Sequence, residues 1–146
     1  MKTSVIRACA SLTPVLLVLL AGCGTKWSQN DNVEGTLKMD GVPVANVKVQ
    51  FVPDDPAVQA PASSAQTDEN GHFRLTCENG RPGAVIGKHN VVIFKGRAEP
   101  GDGQTISTAV IPQAYTIAAK TPLQTEVTAS EHNYDLKMSR NAMPRK

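Results

Sequence analysis

From residue 33 onward the 146-residue chain predicts an all-β domain, and three observations carry that reading. Short stretches alternate apolar and polar residues with the period of two that places one face of a strand on a core. Clusters of Gly, Pro, Asn and Asp separate these stretches. No helical stripe runs longer than about two turns. About seven strands in about 105 residues fit an antiparallel two-sheet β-sandwich, with periodicity alone leaving a barrel open.

The elements follow in order. Val33-Glu34-Gly35-Thr36-Leu37-Lys38-Met39 alternates and stops at Asp40-Gly41, a turn pair. Val42-Pro43-Val44 leads into residues 45–52, where Val47, Val49 and Phe51 share one face and are expected in the core. Pro53-Asp54-Asp55-Pro56 ends that strand, because proline lacks a ladder donor and restricts the residue before it. A loop follows through residue 62. Residues 63–67 form a short strand, Asp68-Glu69-Asn70-Gly71 a turn, and residues 72–77 the returning strand of a hairpin, with Phe73, Leu75 and Cys77 on one side. In that turn Asp68 is expected to bond nearby amides, Gly71 to take positive φ, and Phe73 to plug the core beside an outward His72. Residues 78–83 are a second turn cluster. Residues 84–88 then hand over to His89-Asn90-Val91-Val92-Ile93-Phe94-Lys95, the most β-prone stretch and the expected central strand. Residues 96–107 are glycine-rich and polar and are expected to loop out, and residues 111–115 to hold a turn or one helical turn. Residues 123–128 and 132–138 are the last strands, expected to pair with each other as an antiparallel hairpin across Ala129-Ser130-Glu131.

The first 22 residues belong to a different class of sequence. Lys2 and Arg7 precede an apolar run over residues 8–20 that is short for a bilayer span, the layout of a cleaved targeting signal. Its end, Leu20-Ala21-Gly22-Cys23, resembles the lipobox of bacterial lipoproteins, which implies cleavage between Gly22 and Cys23 and a diacylglyceryl (palmitate-type) modification on the Cys23 sulfur. An ordinary secretory signal or a retained anchor leaves the cysteine unexplained. The expected location is the cell envelope, with the domain facing the periplasm. Gly24 stands where an Asp favours inner-membrane retention in Gram-negative sorting, so the outer membrane is preferred. Residues 24–32 are polar and aperiodic and read as a tether of about 30 Å. Trp27, the sole tryptophan, suits either the headgroup level or packing on the domain.

Composition bounds the partners. Removing residues 1–22 leaves 124, one domain's worth of chain. It also removes Lys2 and Arg7, taking the basic residues from 15 to 13, equal to the 13 acidic ones. A mature chain of zero net charge argues against nucleic acid as a partner. Residues 139–146 read as a solvated basic tail. Cys9 leaves with the signal and Cys23 carries lipid, so Cys77 has no intramolecular partner and reads as a small buried hydrophobe, with an intermolecular bridge the alternative. Oligomeric state is left open.

In order and spacing the domain is similar to the carboxypeptidase regulatory-like domains of bacterial surface lipoproteins. The residues that carry this are Val33-x-Gly35-x-Leu37, Asp40-Gly41-Val42-Pro43-Val44-Ala45-Asn46-Val47-x-Val49-x-Phe51, Thr67-Asp68-Glu69-Asn70-Gly71-His72-Phe73, Gly83-Ala84-x-x-Gly87-Lys88-His89-x-Val91-x-Ile93, and Ile111-Pro112-x-x-Tyr115 with Thr121-Pro122-Leu123. The resemblance spans residues 33–138 and implies a transthyretin-like (prealbumin-like) sandwich, which is a fold and not an activity.

No catalytic constellation is legible. The third residues after His72, His89 and His132 are Leu75, Val92 and Asp135, so the zinc-binding His-x-x-Glu of metallo-carboxypeptidases is missing. His132 and Asp135 fall on opposite faces of a strand. The chain ends Met143-Pro144-Arg145-Lys146, without the Tyr-Arg-Gly-Ser close of transthyretin-like hydroxyisourate hydrolases. Gly-x-Ser-x-Gly and phosphate-cradling loops are absent. Asp68, Glu69 and Asn70 offer clustered oxygens but no full calcium series. The expectation is a membrane-anchored, non-enzymatic module with no metal or cofactor that binds an envelope protein, with an envelope polysaccharide as the alternative ligand.

Overall fold

The computed structural model describes residues 27–57, 59–96 and 107–146, which form an all-β fold with no α-helix. The targeting signal, Gly22 and Cys23 lie outside the described residues, as does most of the loop expected over residues 96–107. Eleven strands are present among the described residues: β1 (Gln29–Asn30), β2 (Glu34–Met39), β3 (Val42–Pro43), β4 (Val47–Pro53), β5 (Ser63–Gln66), β6 (His72–Arg74), β7 (Thr76–Cys77), β8 (Ala84–Val85), β9 (Gly87–Lys95), β10 (Gln124–Val127) and β11 (Asn133–Met138). A 3-10 turn spans Gln113–Tyr115.

Two sheets share one core. The five-stranded sheet has the order β10-β9-β4-β5-β7, all antiparallel. The second sheet centres on β2, flanked on one side by β11 and on the other by β3 and β6. Phe51 shows how they meet: from β4 its ring lies 6.1 Å from Phe73 of β6 and 6.4 Å from Tyr134 of β11, across the gap between sheets. Val47 and Val49 share its face, and all three are fully buried.

Four differences from the sequence reading have physical causes. First, β10 and β11 do not pair: β10 runs antiparallel to β9, while β11 crosses to the other sheet and runs parallel to β2. Alternation fixes which face of a strand is apolar and leaves its neighbour open. Second, residues 63–77 do not form a simple hairpin. β6 pairs β2, Leu75 N–H turns to the Val33 carbonyl at 2.9 Å, and β7 returns to β5 in the first sheet. One alternating run therefore serves two sheets, and such corners raise the strand count from about seven to eleven.

Third, the fold begins before residue 33. β1 pairs β8, Ile86 N–H donates to the Ser28 carbonyl at 2.8 Å, and the Asn30 side chain is buried. Its Nδ2 donates to the carbonyls of Thr128 and Glu131, each at 2.8 Å, so residues 28–32 belong to the sandwich and not to a tether. Gly83 makes the approach possible. With φ of +89° and a Cβ position only 1.8 Å from the Asn30 carbonyl oxygen, no other residue fits beside β1. Fourth, the basic tail keeps its charges in solvent, yet its backbone docks: Arg145 N–H bonds the Lys120 carbonyl at 2.8 Å and Ser139 N–H the Tyr115 hydroxyl at 2.9 Å.

Candidate binding surfaces

Of the residues singled out in the sequence, Asp68, Gly71 and Phe73 come together in a structural corner. Asp68 Oδ1 accepts from the amides of Asn70 and His72, both at 2.9 Å. Gly71 takes φ of +74°, and its carbonyl receives Leu37 N–H at 2.8 Å. Phe73 is buried and His72 exposed. One carboxylate oxygen is thus committed to the turn, and among the described residues no group of three His, Cys, Asp or Glu is placed to hold a metal. Cys77 is 2 % exposed. His132 Nδ1 meets the Asn32 carbonyl at 3.0 Å, while Asp135 accepts from the Thr36 hydroxyl, so these two act separately.

The end of β8 and the start of β9 meet the end of β4 in a cleft of about 540 Å³. Asp54, Lys88, Glu126 and His89 border it. Beside it Asn90 Nδ2 donates to Asp54 Oδ1 at 2.6 Å and Gln124 Nε2 donates to Asn90 Oδ1 at 2.8 Å, a polar row across three segments. His89 turns inward from this row. It is 1 % exposed, packs 5.8 Å from the Phe51 ring, and places Nδ1 2.9 Å from the Gly87 carbonyl. Nδ1 is therefore the protonated nitrogen and Nε2, which has no hydrogen-bond partner among the described residues, is the bare one. Burial pushes the His89 pKa down, opposed by the Gly87 carbonyl. A neutral imidazole with no hydroxyl, thiol or carboxylate bonded to it among the described residues lacks the pairing that activates a nucleophile.

At the opposite end of the sandwich a groove of about 650 Å³ is lined by Met39, Val44, Asn46, Ala109, Val110 and Arg140. Val110 and Val42 stand exposed at its rim, and Arg140 pairs with Asp40 at 3.7 Å.

The third surface is an edge. β11 has a strand neighbour on one side only among the described residues. Glu34 N–H bonds the His132 carbonyl and Asp40 N–H the Met138 carbonyl, each at 2.9 Å, which sets the phase of the parallel ladder. In a parallel pair alternate residues of a strand bond the same neighbour, so Tyr134, Leu136 and Met138 face β2 with their backbone groups. Asn133, Asp135 and Lys137 direct theirs outward. Tyr134, Leu136 and Met138 also bury their side chains, fixing the edge firmly. The unpaired backbone of this edge was not readable in the sequence, because it depends on β11 leaving its expected partner.

Exposed aromatic surface is scarce. Tyr134 and Tyr115 are buried with their hydroxyls bonded to backbone, Phe51 and Phe73 are core and Trp27 is half-buried, whereas Phe94, near the end of β9, is 39 % exposed and not in the core. Compared with protein-family models, curated proteins and solved structures, the chain matches none.

Proposed function

We propose that the protein is a non-catalytic bacterial envelope lipoprotein, anchored through lipid on Cys23 and facing the periplasm, whose sandwich binds a protein partner by strand addition at β11. The transthyretin-like, carboxypeptidase regulatory-like class is part of this reading and rests on the motif order in the sequence. The observation that carries the binding mode is the outward row of N–H and C=O groups at Asn133, Asp135 and Lys137. Such a row is a template for an extended segment: backbone hydrogen bonds give affinity and alternate side chains give choice. Asp135 and Lys137 side chains stand exposed beside it and discourage indiscriminate pairing. A polysaccharide ligand has less support, since sugar sites need stacked aromatic platforms and Phe94 is the one exposed Phe, Tyr or Trp among the described residues. Two or three acyl chains, at about 0.8 kcal/mol per buried methylene, make the anchor effectively permanent.

The test is in-cell crosslinking of the full chain, wild type beside Lys137→Pro and Cys23→Ser. Proline at 137 removes an outward donor and leaves the bonds to β2 in place. The expected result is a dominant protein crosslink lost in Lys137→Pro, with the variant's melting temperature unchanged and the protein still in membranes. Recovery of the same partners by Lys137→Pro would refute strand addition. Cys23→Ser is expected to lose incorporation of labelled palmitate, and incorporation that persists would refute the anchor.

A further inference from the structure

We infer that the anchor holds the sandwich end-on, with the Ser28 and Ile86 end against the bilayer and the Met39–Arg140 groove facing away from it. This rests on lipidation of Cys23. Because β1 is built into the fold, only residues 24–27 separate Cys23 from Ser28, whose carbonyl is already bonded to Ile86. Five residue steps span at most about 17 Å fully extended, roughly half of what a tether reaching to residue 32 allows.

The strand directions determine what lies at each end. β9 starts at Gly87, next to Ile86, and runs to Lys95, about 27 Å away. The pairs Gly87 with Val127 and His89 with Pro53 put the ends of β10 and β4 beside the attachment point. Asn30, bonded to Thr128 and Glu131, brings the start of β11 there too. The pair Val47 with Lys95 and the bond from Asp40 to Met138 define the other end, where the 650 Å³ groove opens. A tether shorter than the sandwich and joined at one end keeps that end near the headgroups. Half-buried Trp27 and Ile86 and exposed Pro56 give it apolar surface suited to the interface. Asp54, Asp55, Glu126 and Glu131 outnumber Lys88 and Arg145 there, so covalent length and not charge attraction sets the orientation.

Lys88→Cys and Lys95→Cys test this on one strand. Cys23 is consumed by lipid and Cys77 is buried, so each variant of the processed lipoprotein offers one reactive thiol. With a fluorophore on that thiol, in phosphatidylcholine vesicles carrying a nickel-chelating quencher lipid, quenching at 88 is expected to exceed that at 95 by at least about threefold, independent of salt. Inserting a spacer of about 20 Gly/Ser residues after Gly24, with a reach of about 25 Å, is expected to abolish the contrast. Equal quenching without the spacer means the sandwich lies flat and overturns the proposal. Contrast that survives the spacer means a surface patch, not the tether, sets the orientation, and also overturns it. Failure of the processed protein to join vesicles refutes the lipoprotein reading itself.

Discussion

His89 combines near-complete burial, a bare Nε2 and a pKa pushed below the ordinary histidine value by desolvation. The unfolded chain takes up a proton near pH 6.5 and the folded chain only at lower pH. Stability is therefore complete above about pH 6.5 and falls as pH drops below it, with a slope from this group of at most about 1.4 kcal/mol per unit. In His89→Phe, urea titrations at about pH 7.5, 6.5 and 5.5 are expected to show a shallower loss than wild type; an identical slope would assign the loss to other groups. Asn30 and Gly83 act at the same scale. Asn30→Ala strands the Thr128 and Glu131 carbonyls and is expected to cost about 1–3 kcal/mol. Gly83→Ala meets both positive φ and the Asn30 carbonyl, and a larger loss, about 2–4 kcal/mol, is expected in the same assay. The partners of Asn30 lie 98 and 101 residues away, so its polar surroundings in sequence read as tether. A buried amide that serves distant carbonyls leaves no local periodicity to find.

Among the elements, alternation was a reliable guide to faces. Val47, Val49 and Phe51 point inward because apolar residues two apart on a strand share a side, and all three have no exposed surface. Phe51 touches the Phe73 and Tyr134 rings of the facing sheet and the His89 ring of its own, and Phe51→Ala is expected to lose about 3–5 kcal/mol in denaturant unfolding. Neighbour relations were harder to read. Residues 72–77 look like one strand because their faces alternate throughout, while their backbone bonds pass from one sheet to the other at Leu75. The candidate edge was hidden for the same reason: nothing in residues 133–138 says that they prefer β2 to β10. The phase of β11 yields a paired prediction. Leu136→Pro removes a donor to β2 and is expected to lose about 3 kcal/mol or more, whereas Lys137→Pro leaves the melting curve in place. A lower melting temperature for Lys137→Pro than for Leu136→Pro would mean the ladder phase is reversed.

For the molecule as a whole, residues 28–32, with β1 at Gln29–Asn30, are part of the folded domain and not a spacer. A chain starting at Val33 is therefore expected to melt below one starting at Ser28, and coincident thermal transitions would show β1 to be dispensable. The cleft beside His89 and the groove at the opposite end were beyond the sequence because each gathers segments far apart in the chain, whereas the turn at Asp68 and Gly71 is written in consecutive residues. The parallel union of β2 and β11 joins residues 34–39 to residues 133–138. During synthesis β2 emerges long before its neighbour, and at about 5–20 residues per second the sheet waits several seconds for completion. Contacts of such long sequence separation also slow closure once both strands exist. The second sheet therefore keeps one flank of β2 unfilled until nearly the last residues are made, so its closure belongs to the end of synthesis and not to its course.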